Sequence, residues 1–159
     1  MAAYFFDSSA IVKLYVSETG SAWTVALVRS RRTDGVFLNR SNMASITTVE
    51  VTAALVRRSR GGSLSTTDLA AGLALFRADA RRVFLTLRLT AAVLRGAATL
   101  AQKHALRGYD AVQLAVALAL QAERSLDGLA PLIFVSADNE LLAAAHLEGL
   151  PVDNPNLHP

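Results

Sequence analysis

The sequence predicts an α/β fold built around a central parallel sheet. Segments with strand character alternate with amphipathic helices along the whole chain, which is the pattern of βαβ units. The best strand candidates are continuous apolar runs, as expected for strands covered on both faces. With 159 residues and no repeat, low-complexity stretch or linker, the chain is long enough for one domain with a sizeable core.

In the first half of the chain, two strands and three helices are expected. The run AYFF reads as a buried strand, and Ile11, Leu14 and Tyr15 have helical spacing after it. Trp23, Ala26 and Leu27 are expected on one face of the next helix. The expected elements are a strand at 3–6, helices at 8–16 and 18–32, a strand end at 42–46, and a helix at 47–60 that ends at Gly-Gly-Ser.

In the second half, the helix starts have recognisable caps. Ser65 and Asp68 form a capping-box pattern, Thr90 is a suitable N-cap, and Gly149 is suited to close the last helix. Helix 109–125 is apolar almost all round, so it should be central. The expected elements are helices at 65–82, 90–106, 109–125 and 138–150, strands at 83–87 and 131–137, and a last short strand before a polar tail at about 154–159.

Composition narrows the class of protein. Hydrophobic residues make up 52% and charged residues 18%, which argues against disorder. No apolar run is long enough to span a membrane, and the first residues lack the basic region of a signal peptide. The absence of cysteine removes disulfides, thiolate zinc sites and cysteine nucleophiles. We therefore expect a cytoplasmic protein without membrane association. The net charge of +3 and the pI near 9.8 favour an anionic partner such as nucleic acid.

Four carboxylates stand at equivalent places in this predicted fold. Asp7 and Asp138 directly follow strands, while Glu50 and Asp110 lie in the first turns of helices. Carboxyl ends of parallel strands share one edge of a sheet, where ligands bind, so all four should face one cleft. Each has a simpler explanation alone: Asp7 and Asp138 as N-caps, Thr47 to Glu50 as a capping box, and Asp110 as a complement to the helix dipole.

Four clustered carboxylates repel one another and raise each other's pKa unless a cation compensates. Oxygen ligands with no histidine or cysteine nearby suit Mg²⁺ or Mn²⁺ better than zinc. One or two such ions beside a phosphodiester would make a metal-dependent nuclease site, in which one ion activates water and a second stabilises the leaving oxygen.

Four segments, YFFDSSAIVKLY, SITTVEVTAAL, YDAVQLAVAL and FVSADNELLAAAHLEGLPVDNP, resemble in order and spacing the PIN-domain family, particularly VapC-type ribonuclease toxins of bacterial toxin–antitoxin pairs. The resemblance implies a three-layer α/β/α nuclease domain over residues 1–159. It also implies metal-binding, catalytic acids at Asp7, Glu50, Asp110 and Asp138. Ser136 would hydrogen-bond within the acidic cluster, and Ser8 would orient a carboxylate or a water. Asn139 and Glu140 stand near enough to assist Asp138.

The same resemblance implies partners: an RNA substrate, a small cognate antitoxin protein that plugs the cleft, and a homodimer formed through helices around 65–105. Arg57, Arg58 and Arg60 follow the Glu50 helix and are candidates for RNA or antitoxin contacts, with a solvated helix end as the alternative. Lys13 would meet phosphate at the mouth of the cleft or face water.

Two other classes of protein compete with the nuclease hypothesis. The first is a PIN-fold module that binds RNA or protein without catalysis, but a degenerate member would be expected to lose one of the four acids, and all four are present. A phosphatase with an aspartyl nucleophile usually needs a second acid two residues after the first, and Ser9 stands there instead.

Overall fold

Five parallel strands form a single sheet in the computed structural model, which describes residues 1–158. They are β1 (Ala2–Phe6), β2 (Asn39–Ala44), β3 (Phe84–Leu87), β4 (Ile133–Val135) and β5 (Val152–Asp153). Their order across the sheet is β3-β2-β1-β4-β5. The chain builds outwards from β1 in one direction and then returns to add β4 on the other side. The switch point therefore lies between β1 and β4, where open α/β sheets bind ligands.

Helices cover both faces of this sheet, which confirms the predicted fold class. They are α1 (Ser8–Val12), α2 (Ser21–Arg29), α3 (Thr47–Arg60), α4 (Thr66–Arg82), α5 (Ala91–His104), α6 (Gly108–Leu126) and α7 (Asn139–Leu147), followed by a short 3-10 helix at Pro155–Leu157. Ser65 and Thr90 cap α4 and α5 as predicted, and Gly149 follows α7 with φ +87°. Within residues 1–158, no helix has both the length and the apolar character needed to cross a bilayer.

The two helical layers pack on separate cores because successive strand residues point to opposite faces of the sheet. Phe5 packs with Phe134 and with residues of α5, α6 and α7. Phe6 packs on the other face with Met43 and with residues of α1, α3 and α4. The apolar run that opens the chain thus serves both layers and holds β1 at the centre of the sheet.

The predicted helix bounds near the N-terminus are wrong in three places, since helix α2 also ends at Arg29 instead of 32. Helix α1 ends at Val12 instead of 16, because the chain tightens into a turn in which Leu14 N–H bonds to Ile11 O. Helix α2 begins at Ser21 instead of 18, after Gly20 at φ +82°. A Cβ at Gly20 would lie 2.2 Å from the carbonyl oxygen of Pro155, so only glycine fits this approach of the C-terminal segment. Ala26, expected on the packed face of α2, is exposed.

Strand β2 begins three residues before the predicted position, in the polar stretch NRSN. Ser41 and Asn42 are buried there, and Asn42 Nδ2 donates to the backbone oxygen of Tyr4 across 2.9 Å. The start of β2 is set by its pairing with β1 and β3 and not by an apolar pattern in the sequence. Strand β4 is shorter than the predicted 131–137 and ends at Val135.

Candidate active site

The four carboxylates lie where the topology brings together the ends of three neighbouring strands. Asp7 directly follows β1, and Asp138 lies three residues beyond the end of β4. Glu50 stands in the first turn of α3, which follows β2, and Asp110 stands in the first turn of α6. Because β2, β1 and β4 are adjacent and parallel, these positions share the carboxyl edge of the sheet.

Asp7 is the most buried of the four, with 3% of its surface exposed. It caps α1, since its Oδ1 accepts the N–H of Ala10 at 3.0 Å, and the Ser9 hydroxyl donates to the same carboxylate. Burial raises the pKa of Asp7 from 3.8 to about 6, although these hydrogen bonds and one from Ser136 oppose the rise. The N-cap explanation is therefore correct as geometry. It does not account for placing a carboxylate in so unfavourable a site.

Ser9 connects the two strands of the switch point and was not singled out from the sequence. Its Oγ lies 2.8 Å from Asp7 Oδ1 and 3.3 Å from Ser136 Oγ, and it accepts the N–H of Ala137 at 2.8 Å. Ser136 Oγ in turn accepts the N–H of Asp138 at 3.0 Å. The spacing Asp-x-Ser at a helix start was a usable signal, because a hydroxyl two residues after a capping aspartate can reach back to it.

Glu50 is held from α6 and from α1. Gln113, buried on α6, donates through Nε2 to both Glu50 and Thr47, and the Ser8 hydroxyl lies near enough to Glu50 to lower its pKa. Burial raises the pKa of Glu50, the bonds from Gln113 and Ser8 offset part of that rise, and the negative charge of Asp110 adds to it. The capping-box alternative for Thr47 and Glu50 is wrong, because α3 begins after Ile46 without a side-chain cap and both side chains face Gln113.

Asp110 lies close enough to Glu50 and to Asp138 for their charges to interact. Burial raises the pKa of Asp110, and the charges of Asp138 and Glu140 raise it further against the opposing charge of Arg107. Asp138 also caps α7, accepting the N–H groups of Glu140 and Leu141. Asn139 turns away and accepts a hydrogen bond from Asn154 instead. Glu140 is therefore the better placed of the two predicted assistants.

The donor set fits a hard divalent cation. It consists of carboxylate and hydroxyl oxygens. Burial and, in second place, the charges of neighbouring acids raise the pKa values of Glu50 and Asp110, and a cation would relieve both costs. As the side chains are placed, no three Asp, Glu, His or Cys residues in the described range 1–158 are close enough together to hold an ion. The chemistry of the site is suited to Mg²⁺ or Mn²⁺, and the ligand set is not closed.

A groove with a volume of about 740 Å³ runs from this edge along α3. It is lined by Ser8, Ser9, Val12, Lys13, Glu18, Thr19, Val49, Glu50, Ala53, Ala54, Arg57, Arg58, Tyr109, Ala137 and Asn156. Ser8 and Ser9, which lie next to the carboxylates, form part of its wall. Any polymer that lies in the groove would therefore pass the acidic edge.

The candidate basic contacts differ in their availability. Lys13 is 4% exposed, and its Nζ is bound by Glu18, the Thr19 carbonyl and Asn156, so the alternative in which Lys13 faces water is wrong. Arg58 pairs with Glu18 at 2.7 Å. Arg57 is exposed and lines the groove, and Arg60 is exposed beyond it. Arg57 is thus the best placed of the four for an anionic ligand.

Comparison with known proteins gives a consistent family. The model of the PIN domain family matches residues 4–147. Ribonuclease VapC45 from Mycobacterium tuberculosis (strain CDC 1551 / Oshkosh) and Ribonuclease VapC49 from strain ATCC 25618 / H37Rv are each 36% identical over 166 residues, covering 100% of both chains.

Solved structures share the fold at low sequence identity. PAE2754 from Pyrobaculum aerophilum has a TM-score of 0.61 at 18% identity and covers 98% of this chain and 91% of its own. Mycobacterium tuberculosis VapC20, described as a sarcin-ricin loop cleaving toxin, has a TM-score of 0.61 at 16% identity, covering 98% and 99%. A toxin–antitoxin complex from Klebsiella pneumoniae has a TM-score of 0.57 at 17% identity, covering 96% and 97%. These likenesses show the fold alone.

Proposed function

The chain belongs to the PIN-domain family, and from this premise we propose that residues 1–159 form one nuclease domain: a divalent-metal-dependent endoribonuclease that acts as the toxin of a toxin–antitoxin pair. Two full-length relatives are named as ribonucleases, which supports RNA as the substrate. The basic pI of about 9.8 agrees with a polyanionic ligand.

The observation that carries this proposal is the placing of four acids at one edge of the sheet. Burial raises the pKa of Asp7 to about 6, and the charges of Asp110 and Asp138 add to the burial that raises the pKa values of Glu50 and Asp110, respectively. A protein tolerates such an arrangement at functional sites, where perturbed carboxylates concentrate. A fold that needed only helix caps would not have to bury Asp7 or to place Glu50 within reach of the charge of Asp110.

Asp7, Glu50, Asp110 and Asp138 are the residues that would hold Mg²⁺ or Mn²⁺. When bound, the ion would activate water and stabilise charge on the phosphodiester oxygens. The chain's own side chains hold the carboxylates in position. Ser9 donates to Asp7 and contacts the Ser136 hydroxyl beyond β4, which holds Asp7 in place, and Gln113 donates to Glu50.

The groove along α3 is the proposed path of the RNA and also the surface on which an antitoxin would act. A segment that filled it would cover Glu50 and Arg57 together and so block both the acids and the phosphate contact. Solved relatives of the same fold that are described as toxin–antitoxin or VapBC complexes support a small protein partner for this chain.

We further propose a homodimer formed through the helices between residues 65 and 105. Leu75 on α4 and Leu94 on α5 are each more than two-fifths exposed, and an assembly through these helices would cover them. Size-exclusion chromatography with light scattering is the test. A single species at twice the mass of 16.9 kDa is expected, and a monomer at all concentrations would contradict the proposal.

Induced expression in a bacterial host tests the toxin function. The wild-type chain should arrest growth and fragment cellular RNA, and Asp7→Asn produced at the same level should do neither. Growth arrest by both proteins would show that toxicity does not pass through this carboxylate.

A further inference from the structure

Tyr109 stands at the groove with its ring open to solvent. It is the second residue of α6, directly before Asp110, and 58% of its surface is exposed. Among the residues that the structure describes, no ring pair or side-chain hydrogen bond involves it. A tyrosine held in the first turn of a helix loses little further freedom on binding, and its face is suited to stacking.

The wall beside Tyr109 is apolar and ends in a cation. Val49, Ala53 and Arg57 follow one another at intervals of four residues on α3, so they form one stripe along the groove. Val49 is 63% exposed. The rise of an α-helix puts Arg57 about 10 Å along the axis from Glu50. The groove therefore presents, in order, the acidic edge, an aromatic and aliphatic wall, and a positive charge.

The charge of Arg57 is available, in contrast to its neighbours. Arg58 and Lys13 both pair with Glu18, at 2.7 and 3.0 Å. No carboxylate within residues 1–158 forms an ion pair with Arg57. A ligand with a flat apolar group followed by a negative charge would satisfy the wall and Arg57 at once.

We propose that Tyr109 is a specificity-determining residue that stacks on an unpaired nucleobase next to the phosphate held at the carboxylates, and that Arg57 binds the following phosphate. This inference rests on the proposed nuclease function. RNA is favoured over a protein segment because Tyr109 and the stripe on α3 line the same groove as Glu50, so a nucleotide flanking the reacting phosphate would lie beside them. A duplex keeps its base faces covered, and only an unpaired base can stack on the ring.

Fluorescence anisotropy tests the subsite without requiring cleavage. The probe is a short fluorescein-labelled RNA of mixed sequence, single-stranded or annealed to its complement, with Asp7→Asn as the parent protein. Tyr109→Leu should weaken single-strand binding about tenfold while leaving duplex binding unchanged, because base–aromatic stacking is lost. Tyr109→Phe should retain the affinity. Arg57→Gln should weaken both and lower the slope of log affinity against log salt by about one.

Leu126→Ala is the matched control, since Leu126 is an exposed apolar residue at the far end of the same helix. It should bind like the parent, and equal thermal midpoints of all variants would show that the fold is intact. Tyr109→Leu with parental affinity for single-stranded RNA overturns the subsite, including the case in which the substitution weakens only a protein partner.

The subsite and the nuclease function fail in different ways. If wild-type protein cuts RNA with Mg²⁺ and Tyr109→Leu cuts the same sites at the same rate, the subsite is wrong and the nuclease function stands. If the wild-type protein does not cut RNA but the Tyr109→Leu substitution weakens binding of single-stranded RNA, the nuclease function is wrong and the stacking role of Tyr109 stands.

Discussion

The hydroxyl of Ser9 donates to the carboxylate of Asp7 across 2.8 Å while accepting the backbone N–H of Ala137, two residues beyond β4. One side chain thus fixes the buried acid to the neighbouring strand end. Ser9→Ala should lose about 1–2 kcal/mol of stability, because the N–H of Ala137 and the carboxylate both lose a partner. Urea unfolding measures this. Ser125→Ala, at an exposed hydroxyl on α6, should change stability by less than about 0.5 kcal/mol.

Replacing Asp7 should stabilise the metal-free protein while removing its activity. The pKa of Asp7 is 3.8 ordinarily and about 6 in the folded chain. The folded state therefore binds more protons between these values, and its stability falls as pH rises from about 4 to 6 and stays lower above. Asp7→Asn removes this penalty, so it should gain about 1–3 kcal/mol at pH 7 in EDTA. A less stable Asp7→Asn, with Asp127→Asn as control, would contradict the account.

Metal affinity should rise with pH, since protons and cations compete for the same carboxylates. Burial raises the pKa values of Asp7, Glu50 and Asp110, and the charges of neighbouring acids raise those of Glu50 and Asp110 further, so these groups take up protons nearer neutrality than ordinary carboxyls do. Mn²⁺ should increase the thermal midpoint more at pH 7 than at pH 5. An equal increase at both values would mean that the ion binds elsewhere.

Gln113 should matter for both stability and cleavage. It is buried and donates to Thr47 and Glu50, so Gln113→Leu would leave two acceptors without their partner. A loss of about 1–3 kcal/mol is expected, together with slower cleavage, because Glu50 is no longer held. Gln121→Leu, on the same helix but remote from the acids, also loses a hydrogen bond. It should destabilise without a specific loss of cleavage, and a similar loss in both variants would exclude a positioning role for Gln113.

The pair of Lys13 and Glu18 should contribute more than an exposed pair. Burial pushes the pKa of Glu18 upwards, but bonds from Arg58 and Lys13 outweigh it and leave the pKa below 4.5. The stability that ionised Glu18 contributes through these bonds is present above pH 4.5 and is lost as the pH falls through the lowered pKa of Glu18. Lys13→Met should lose about 1–3 kcal/mol at pH 7. Arg32→Met, which breaks the exposed pair with Asp34, should lose no more than about 0.5 kcal/mol.

Long patterned elements and their caps could be predicted from the sequence, and elements fixed by distant contacts could not. The predicted helix 47–60 has the same bounds as α3, because its apolar pattern and the glycine that ends it agree. Strand β2 begins in polar residues, and its register depends on β1 and β3. The early end of α1 and the late start of α2 depend on contacts with the C-terminal segment, through Asn156 and Pro155.

The position of the four acids at one edge of the sheet could be predicted, because each follows a strand or opens a helix. The residues that hold these acids in place could not be predicted from the sequence. Gln113 lies on a helix that is apolar almost all round and looks like a core position, and its role depends on the approach of α3 to α6. Ser8 and Ser9 are adjacent, and only the backbone direction after Asp7 decides that Ser9 faces Asp7 while Ser8 faces Glu50.

Cleavage of purified RNA is the most direct test of the central claim. Total RNA is incubated with the wild-type chain in Mg²⁺, in Mn²⁺ or in EDTA, beside Asp110→Asn and Asp127→Asn, the same substitution at the two ends of one helix. The account predicts cutting by the wild type and by Asp127→Asn with either metal, and none in EDTA or with Asp110→Asn. Cutting that survives EDTA or the Asp110→Asn substitution would contradict it.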